Sequence, residues 1–249
     1  QVFPDADVFP SLLVAEKPGE GTPPPTVQAC IIPREVLRTE QLAAQVSTGA
    51  YGIPRARFDP SPWMLDPPAA SSLMQRMRDV GEPLAEYAVV EPLRGIMTGY
   101  NEAFLLTASE RDRLVADDPT TAPLFKPYVR GQDVNRWAAT WDARWLLVMR
   151  SSSDHAWPWC DAGARAEEVF AATYPALHRH MQQHEARLRR RSDQGRYWWE
   201  LRPCAYYDQF ERRKLLYQEI QFYPAYALDT RGLYANNKTF LLPTDDLYL

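Results

Sequence analysis

Apolar and polar positions alternate along much of the chain in short runs, punctuated by proline and glycine, and helical periodicity is confined to a few stretches. In "DVFPSLLVAEKPGEGTPPPTVQACIIPRE" the pattern predicts a strand at about 8–16, a Gly/Pro loop at 18–25 and a return strand at about 26–32, an antiparallel pair. A pair that small is marginal alone, so it is expected to belong to a larger sheet or to pack on the segment after it. Residues 51–70, "YGIPRARFDPSPWMLDPPAA", hold five prolines and little period, which predicts a linker or extended strap. "ASSLMQRMRDVGEPLAEY" predicts a short helix capped by Ser71 or Ser72, with Leu73, Met74 and Met77 on its apolar side and Gly81 closing it. "EYAVVEPLRGIMTGYNEAFLLT" then alternates as sheet, and within it Gly95 to Leu106 reads as two short strands joined by a tight polar turn. In "ASERDRLVADDP", Ser109 and Asp112 have capping-box spacing and Pro119 lies past the helix end.

One long helix is expected after Gly163. Phe170, Tyr174, Leu177, Met181 and Leu188 fall at spacings of 4, 3, 4 and 7, a single face at helical period, with Pro175 kinking or restarting it. His180 and His184 in that helix have zinc-ligand spacing, but the glutamate of HExxH and an accompanying carboxylate or cysteine cluster are missing, which favours helix-surface histidines and no metal. Beyond it, "GRYWWELRPCAYYDQFERRKLLYQEIQFYPAYALDTRGLYANNKTFLLP" suggests three or four strands, the last three being "KLLYQEI", "AYALD" and "GLYANNKTFLL", with a turn at Asp229 to Gly232. Its many aromatic rings are mostly core material.

Composition narrows the class to globular: 249 residues, 45% hydrophobic and 24% charged, give enough apolar material for a sizeable core. The longest aliphatic run, around "WLLVM", is far short of the roughly 20 apolar residues needed to span a bilayer, so no membrane role is expected. Three scattered cysteines, Cys30, Cys160 and Cys204, fit reduced thiols in a cytoplasm better than a disulfide framework. A formal net charge of -4 argues against a globally basic nucleic-acid binder, yet "RLRRRSDQGR" sets five arginines against Asp193. That run reads either as a solvated helix end or as a phosphate-facing patch. The start at Gln1 and the stop at "TDDLYL" read as those of an excised piece.

No GxSxG, Walker A loop, GxGxxG or HExxH occurs, and neither Glu16-Lys17 nor "ERRK" at Glu211 has the spacing of a PD-(D/E)xK nuclease. The chain is therefore expected to be non-catalytic by itself.

The order of its words resembles a family. "GIMTGYNEAFLL", "DDPTTAPLFKPYVRGQDVNRW", "WLLVM", "YPALHRHMQQHEARLRRRSDQGRYWWELRPCAYYDQFERRKLLYQEI" and "ANNKTFLLP" together resemble the C-terminal specificity region of TaqI-like and Eco57I-like DNA methyltransferases and combined type II restriction-modification enzymes. The resemblance runs from roughly Pro83 to Leu249, with "TGYNEAF", "KPYVRGQDV" and "WWELRPCAY" as its most specific words. It implies an α+β chain in three parts: residues 1–50, the last strands of a methyltransferase domain; 51–82, the proline-rich strap and short helix; and 83–249, a target-recognition domain with a mixed twisted sheet and one long helix. The parent would transfer methyl from S-adenosyl-L-methionine to adenine N6, with magnesium only if a nuclease domain is also present elsewhere. The family's NPPY box and glycine motif do not occur in this sequence. The implied partners are double-stranded DNA and the parent's methyltransferase domain. A protein-docking domain using the aromatic strands, or an RNA-binding module, are the readings of other classes.

The candidate DNA contacts fall in four segments. At the Thr98, Gly99, Tyr100, Asn101 turn, Gly99 permits close approach and Asn101 can pair with an adenine edge, although TG-x-N also satisfies a plain turn. In "KPYVRGQDVNRW", Lys126, Arg130 and Arg136 are phosphate or guanine partners and Gln132 and Asn135 amide readers, with Asp133 bracing an arginine; an ordinary polar loop is the other reading. Arg187, Arg189, Arg190 and Arg191 would neutralise phosphates. Trp198 and Arg202 are placed on a strand where one of Trp198 and Trp199 is core and the other faces DNA or the catalytic domain.

Overall fold

The computed structural model describes residues 11–17, 21–33, 35–60, 62–88, 91–221 and 223–246. The chain divides into two units, Gln1–Pro83 and Leu84–Leu249. No helix among the described residues is long and apolar enough to cross a membrane.

In the first unit, strand β1 (Thr26–Ala29) pairs antiparallel with β2 (Tyr51–Pro54), Val27 opposite Ile53, and Ile53 is buried. The partner expected at 8–16 is not used: residues 11–17 are irregular and exposed, and 8–10 lie outside the described residues. The start of the expected strap takes its place, because "YGIP" ends before the densest proline run and alternates sufficiently to pair. Between the strands lies helix α1 (Leu42–Gly49), which the pattern did not reveal. Gln45 ties its approach down, accepting from the Arg38 backbone N–H at 3.0 Å and donating to the Val36 carbonyl at 2.7 Å. Helix α2 (Pro68–Val80) starts earlier than Ser71, since Pro68 sits in the first turn, where a missing N–H breaks no helical bond. Gly81 follows its end, and Leu73, Met74 and Met77 remain exposed.

The second unit is α+β. It opens on α3 (Leu84–Ala88), where sheet was expected, and continues into β3 (Leu93–Arg94). The expected hairpin over Gly95 to Leu106 is instead a turn at Gly99, one helical turn α4 (Asn101–Phe104) and the short strand β4 (Leu105–Leu106). The reason lies in Ala103 and Phe104, both fully buried, which a helical turn drives into the core together. Helix α5 (Ala108–Asp117) is closed by a capping box between Thr107 and Glu110, not Ser109 and Asp112: glutamate reaches back to the cap N–H, here at 2.8 Å, better than the shorter aspartate.

Strands β5 (Phe125–Val129), β6 (Val134–Asn135), β7 (Ala138–Ala139) and β8 (Trp145–Leu147) come next, β6 and β7 forming a small hairpin. The long helix is broken into α6 (Ala166–Thr173), α7 (Pro175–Gln182) and α8 (Glu185–Leu188). Pro175 restarts it, and His184 interrupts it again. The apolar face nonetheless survives, with Phe170, Leu177, Met181 and Leu188 all buried. Strands β9 (Lys214–Gln218), β10 (Tyr226–Asp229), β11 (Tyr234–Ala235) and β12 (Thr239–Pro243) complete the unit.

Two four-stranded sheets result. One, in the order β10-β9-β12-β3, is antiparallel throughout; the other, β11-β5-β8-β4, has one parallel pair, β11 with β5. The buried Lys214 and Asp229 meet across β9 and β10 at 2.5 Å, and burial pushes the Lys214 ammonium below its ordinary pKa while Asp229 opposes that. "WWELR" forms no strand. Its turn buries Trp198, Trp199, Glu200 and Leu201 together. Trp199 stacks on Phe170 at 5.0 Å and on Tyr197 at 4.9 Å. The Glu200 carboxylate takes bonds from the Trp159 indole at 2.8 Å, the Ser152 and Tyr197 backbone N–H groups, and the Ser152 hydroxyl.

Candidate nucleic-acid interface

Four stretches distant in sequence line one polar cleft of about 320 Å³: Ile96 to Glu102, Tyr128, Arg187, and Asn236 with Asn237. Backbone pairing brings them together. The Gly95 N–H donates to Thr239 O at 2.9 Å and that of Ile96 to Ala235 O at 2.7 Å, so the chain after β3 runs against the turn between β11 and β12. Gly95 is required there, because a Cβ would collide with the Ala235 and Asn236 carbonyls. Gly99, at φ 68°, turns the chain over the 191–193 segment, where a Cβ would lie 3.0 Å from that of Asp193. Its freedom therefore serves an internal approach.

The side chains divide into committed and uncommitted. The buried Thr98 hydroxyl donates to Asn101 Oδ1 at 2.6 Å, which fixes the amide and leaves Nδ2 with no partner among the described residues. Asn236 Oδ1 accepts from the Gly131 N–H at 3.2 Å and from Thr239 Oγ1 at 2.9 Å, joining the cleft to the "RGQD" loop. Asn237 has no hydrogen-bonded side-chain partner among the described residues. Arg187 lies over the Tyr100 ring at 5.4 Å and pairs with no carboxylate among them. A smaller hollow continues the cleft past Ile96, Met97 and Asn237, with Arg94 and Arg202 on its rim, held by Glu219 at 2.5 Å and Asp193 at 3.5 Å. The cleft thus offers amide donors and acceptors beside one free guanidinium, the chemistry that meets base edges and phosphates.

Thr98, Gly99, Tyr100, Asn101 and Arg187 come together here, and Arg190 is exposed without a carboxylate partner among the described residues. Arg189 is exposed but pairs with Glu185 at 2.7 Å and Glu167 at 3.3 Å. Two candidates require correction. Arg191 does not face solvent: its guanidinium donates to Thr98 O at 2.5 Å, to Trp198 O at 3.1 Å and to Glu200 O, and its Cζ lies 4.7 Å from the Phe104 ring centre. Burial lowers its pKa to about 10, with Asp193 and Glu200 opposing, so it is a charged bracket tying the Gly99 turn to the "WWE" turn. Trp198 is also buried, and its indole donates to Glu167 at 3.2 Å; with Trp199 buried as well, this segment leaves the binding face.

The "KPYVRGQDVNRW" cations are mostly neutralised. Lys126 pairs with Glu211 at 2.8 Å. Asp133 braces Arg130, accepting from its backbone N–H at 2.8 Å and from NH2 at 2.9 Å. Burial would raise the Asp133 pKa, but the Arg130 bonds outweigh it and hold the carboxyl below its usual range. Gln132 is exposed, and Arg136 donates to Pro224 O at 3.4 Å. His180 Nε2 bonds the Ala103 carbonyl at 2.9 Å. Among the described residues no cluster of three or more His, Cys, Asp or Glu could hold a metal ion.

Sequence reasoning missed Asn237 as a site residue, although "ANNKT" was among the resembling words, because nothing local ties it to Asn101. The burial of Arg191 did leave a trace: it follows Leu188 by three residues and so extends the apolar face.

No protein-family model matches the chain, and no curated protein matches it. Among solved structures it is similar to the Type IIL restriction-modification enzyme MmeI in complex with DNA, at 16% identity and a TM-score of 0.43, over 63% of this chain. The chain spans 19% of the length of that one. A likeness of that size fixes neither the fold nor the activity of this protein.

Proposed function

We propose that this chain reads double-stranded DNA as the specificity part of an adenine-N6 DNA methyltransferase of a restriction-modification system. The observation that carries the reading is convergence. "TGYNEAF", Arg187 of the "RLRRR" run and "ANNKT", which resemble words of such specificity regions, lie up to 139 residues apart between Thr98 and Asn237, yet line one cleft whose free groups are amides and a guanidinium. In this reading Arg187 and Arg190 neutralise phosphates and set the register, while Asn101 and Asn237 meet base edges. The NPPY box and glycine motif with which such enzymes hold adenine and S-adenosyl-L-methionine do not occur in this sequence. Base flipping and methylation belong to a companion domain.

Fluorescence anisotropy of a labelled duplex, titrated with the 249-residue chain over a salt series, tests this. The expected log–log slope is about -0.9 for each phosphate neutralised, shallower by about one unit in Arg187→Ala. Absence of duplex binding at low salt, or binding indifferent to salt, would count against it.

A further inference from the structure

Trp137 sits at the tip of the β6–β7 hairpin and is 75% exposed. A single exposed apolar side chain is ordinary. What sets this one apart is its backbone. The hairpin connection is Arg136-Trp137, and Trp137 has φ 73°, a conformation that a two-residue turn normally gives to glycine or asparagine. A bulky residue there is strained. Among the described residues the ring has no aromatic neighbour and its indole N–H no acceptor.

The mount, by contrast, is firm. The Trp137 N–H donates to Tyr226 O at 2.8 Å, Gln218 Nε2 to Val134 O at 3.0 Å, and Arg231 NH2 to Ala139 O at 2.7 Å. The surrounding charge suits an anion. Arg136 and Arg231 pair with no carboxylate among the described residues. The nearby acids are engaged: Asp133 with Arg130, Asp142 with Arg144 at 3.1 Å, and Asp229 with Lys214. A strained, solvent-facing indole on a hydrogen-bonded mount, with Arg136 next to it in sequence and Arg231 bonded to Ala139 two residues on, neither paired with a carboxylate among the described residues, matches what a nucleic acid needs at a wedge, stacking for the base and cations for its phosphates.

We propose that Trp137 is a DNA wedge that stacks on or between bases of the duplex bound by this chain, with Arg136 and Arg231 on the flanking phosphates. The inference rests on the DNA reading above and adds a contact to it outside the cleft.

The test compares wild type with Trp137→Gly and Trp137→Phe, using the 249-residue chain and a labelled duplex carrying 2-aminopurine as an unstacking reporter. Trp137→Gly relieves the backbone strain, so its melting temperature should equal or exceed that of wild type. Its DNA affinity should fall about ten-fold or more and the 2-aminopurine signal should vanish, with Trp137→Phe recovering part of both. If wild type binds no duplex, the DNA reading itself fails. If wild type binds and Trp137→Gly binds equally well with the same reporter signal, the wedge is overturned while the DNA reading stands. Unchanged DNA binding with loss of self-association in sedimentation would assign the ring to a protein contact and likewise overturn it.

Discussion

Arg187 and Arg191 lie four residues apart in the same basic run, and the structure puts them to opposite uses. Arg187 rests on Tyr100 at the cleft with no carboxylate partner among the described residues, whereas Arg191 is buried on three backbone carbonyls. The contrast extends to regions. In the cleft Asn101 Nδ2 and the Asn237 amide have no hydrogen-bond partner and Arg187 no carboxylate among the described residues, while backbone bonds and the Thr98 hydroxyl hold its shape. The "KPYVRGQD" segment spends its cations on Glu211 and Asp133. Charge in a sequence therefore marks a binding surface only where folding leaves it unpaired.

The largest expected effects come from the buried side of that contrast. Arg191→Met should remove about 3–5 kcal/mol of stability in urea unfolding, because carbonyls of two turns lose a charged donor. Asp229→Asn should cost a similar amount, about 3–5 kcal/mol, by removing the carboxylate that bonds the buried Lys214 ammonium. If Arg191→Met unfolds at the wild-type midpoint, the bracket does not exist and the contrast collapses. Arg187→Ala should stay within about 0.5 kcal/mol of wild type in the same measurement while weakening duplex binding.

A smaller effect separates by pH. Burial holds the His180 pKa below the usual 6.5, with the Ala103 carbonyl and Glu110 pulling it up and His184 and Arg113 pushing it down. The folded imidazole therefore binds protons less readily than the unfolded one. Its contribution is complete above about pH 6.5 and is lost as pH falls through the lower folded value. Urea midpoints at about pH 7.5 and about pH 5.5 should differ less in His180→Gln than in wild type; equal differences would show that other groups set the slope.

The smallest change is the most pointed. Asp133→Asn should cost about 1 kcal/mol of stability yet raise duplex affinity a few-fold and steepen its salt dependence, because it frees Arg130 and removes an anion. Lower affinity would mean that Arg130 needs its brace in order to bind.

How much of the fold and the cleft was legible depends on where the signals reside. Strands β9, β10 and β12 were readable because their alternation is local, and "YALD" alternates strictly, exposing Tyr226 and Leu228 while burying Ala227 and Asp229. The face from Phe170 to Leu188 was readable, but the breaks that cut its helix into three were only half announced, by Pro175. The turn of "TGYNEAF" was visible, while its helical continuation was set by the need to bury Ala103 and Phe104. "WWELR" misled because two adjacent tryptophans look like opposite faces of a strand, whereas a turn can bury both. The cleft depends on Gly95 and Ile96 meeting Ala235 and Thr239, a pairing across some 140 residues that no local pattern encodes.

Under the proposed function, sequence is read by the cleft and not by the "RGQD" loop. Selection of bound duplexes from a randomised pool tests it most directly, carried out at low salt with wild type, Asn101→Ala, Asn237→Ala, Arg130→Ala and Gln132→Ala. Wild type should select a preferred sequence. Asn101→Ala and Asn237→Ala should each lose preference at one position, worth about 1–3 kcal/mol, while Arg130→Ala and Gln132→Ala select the wild-type sequence. Preference lost in the loop variants and kept in the cleft variants would contradict it, as would a wild-type pool with no preferred sequence.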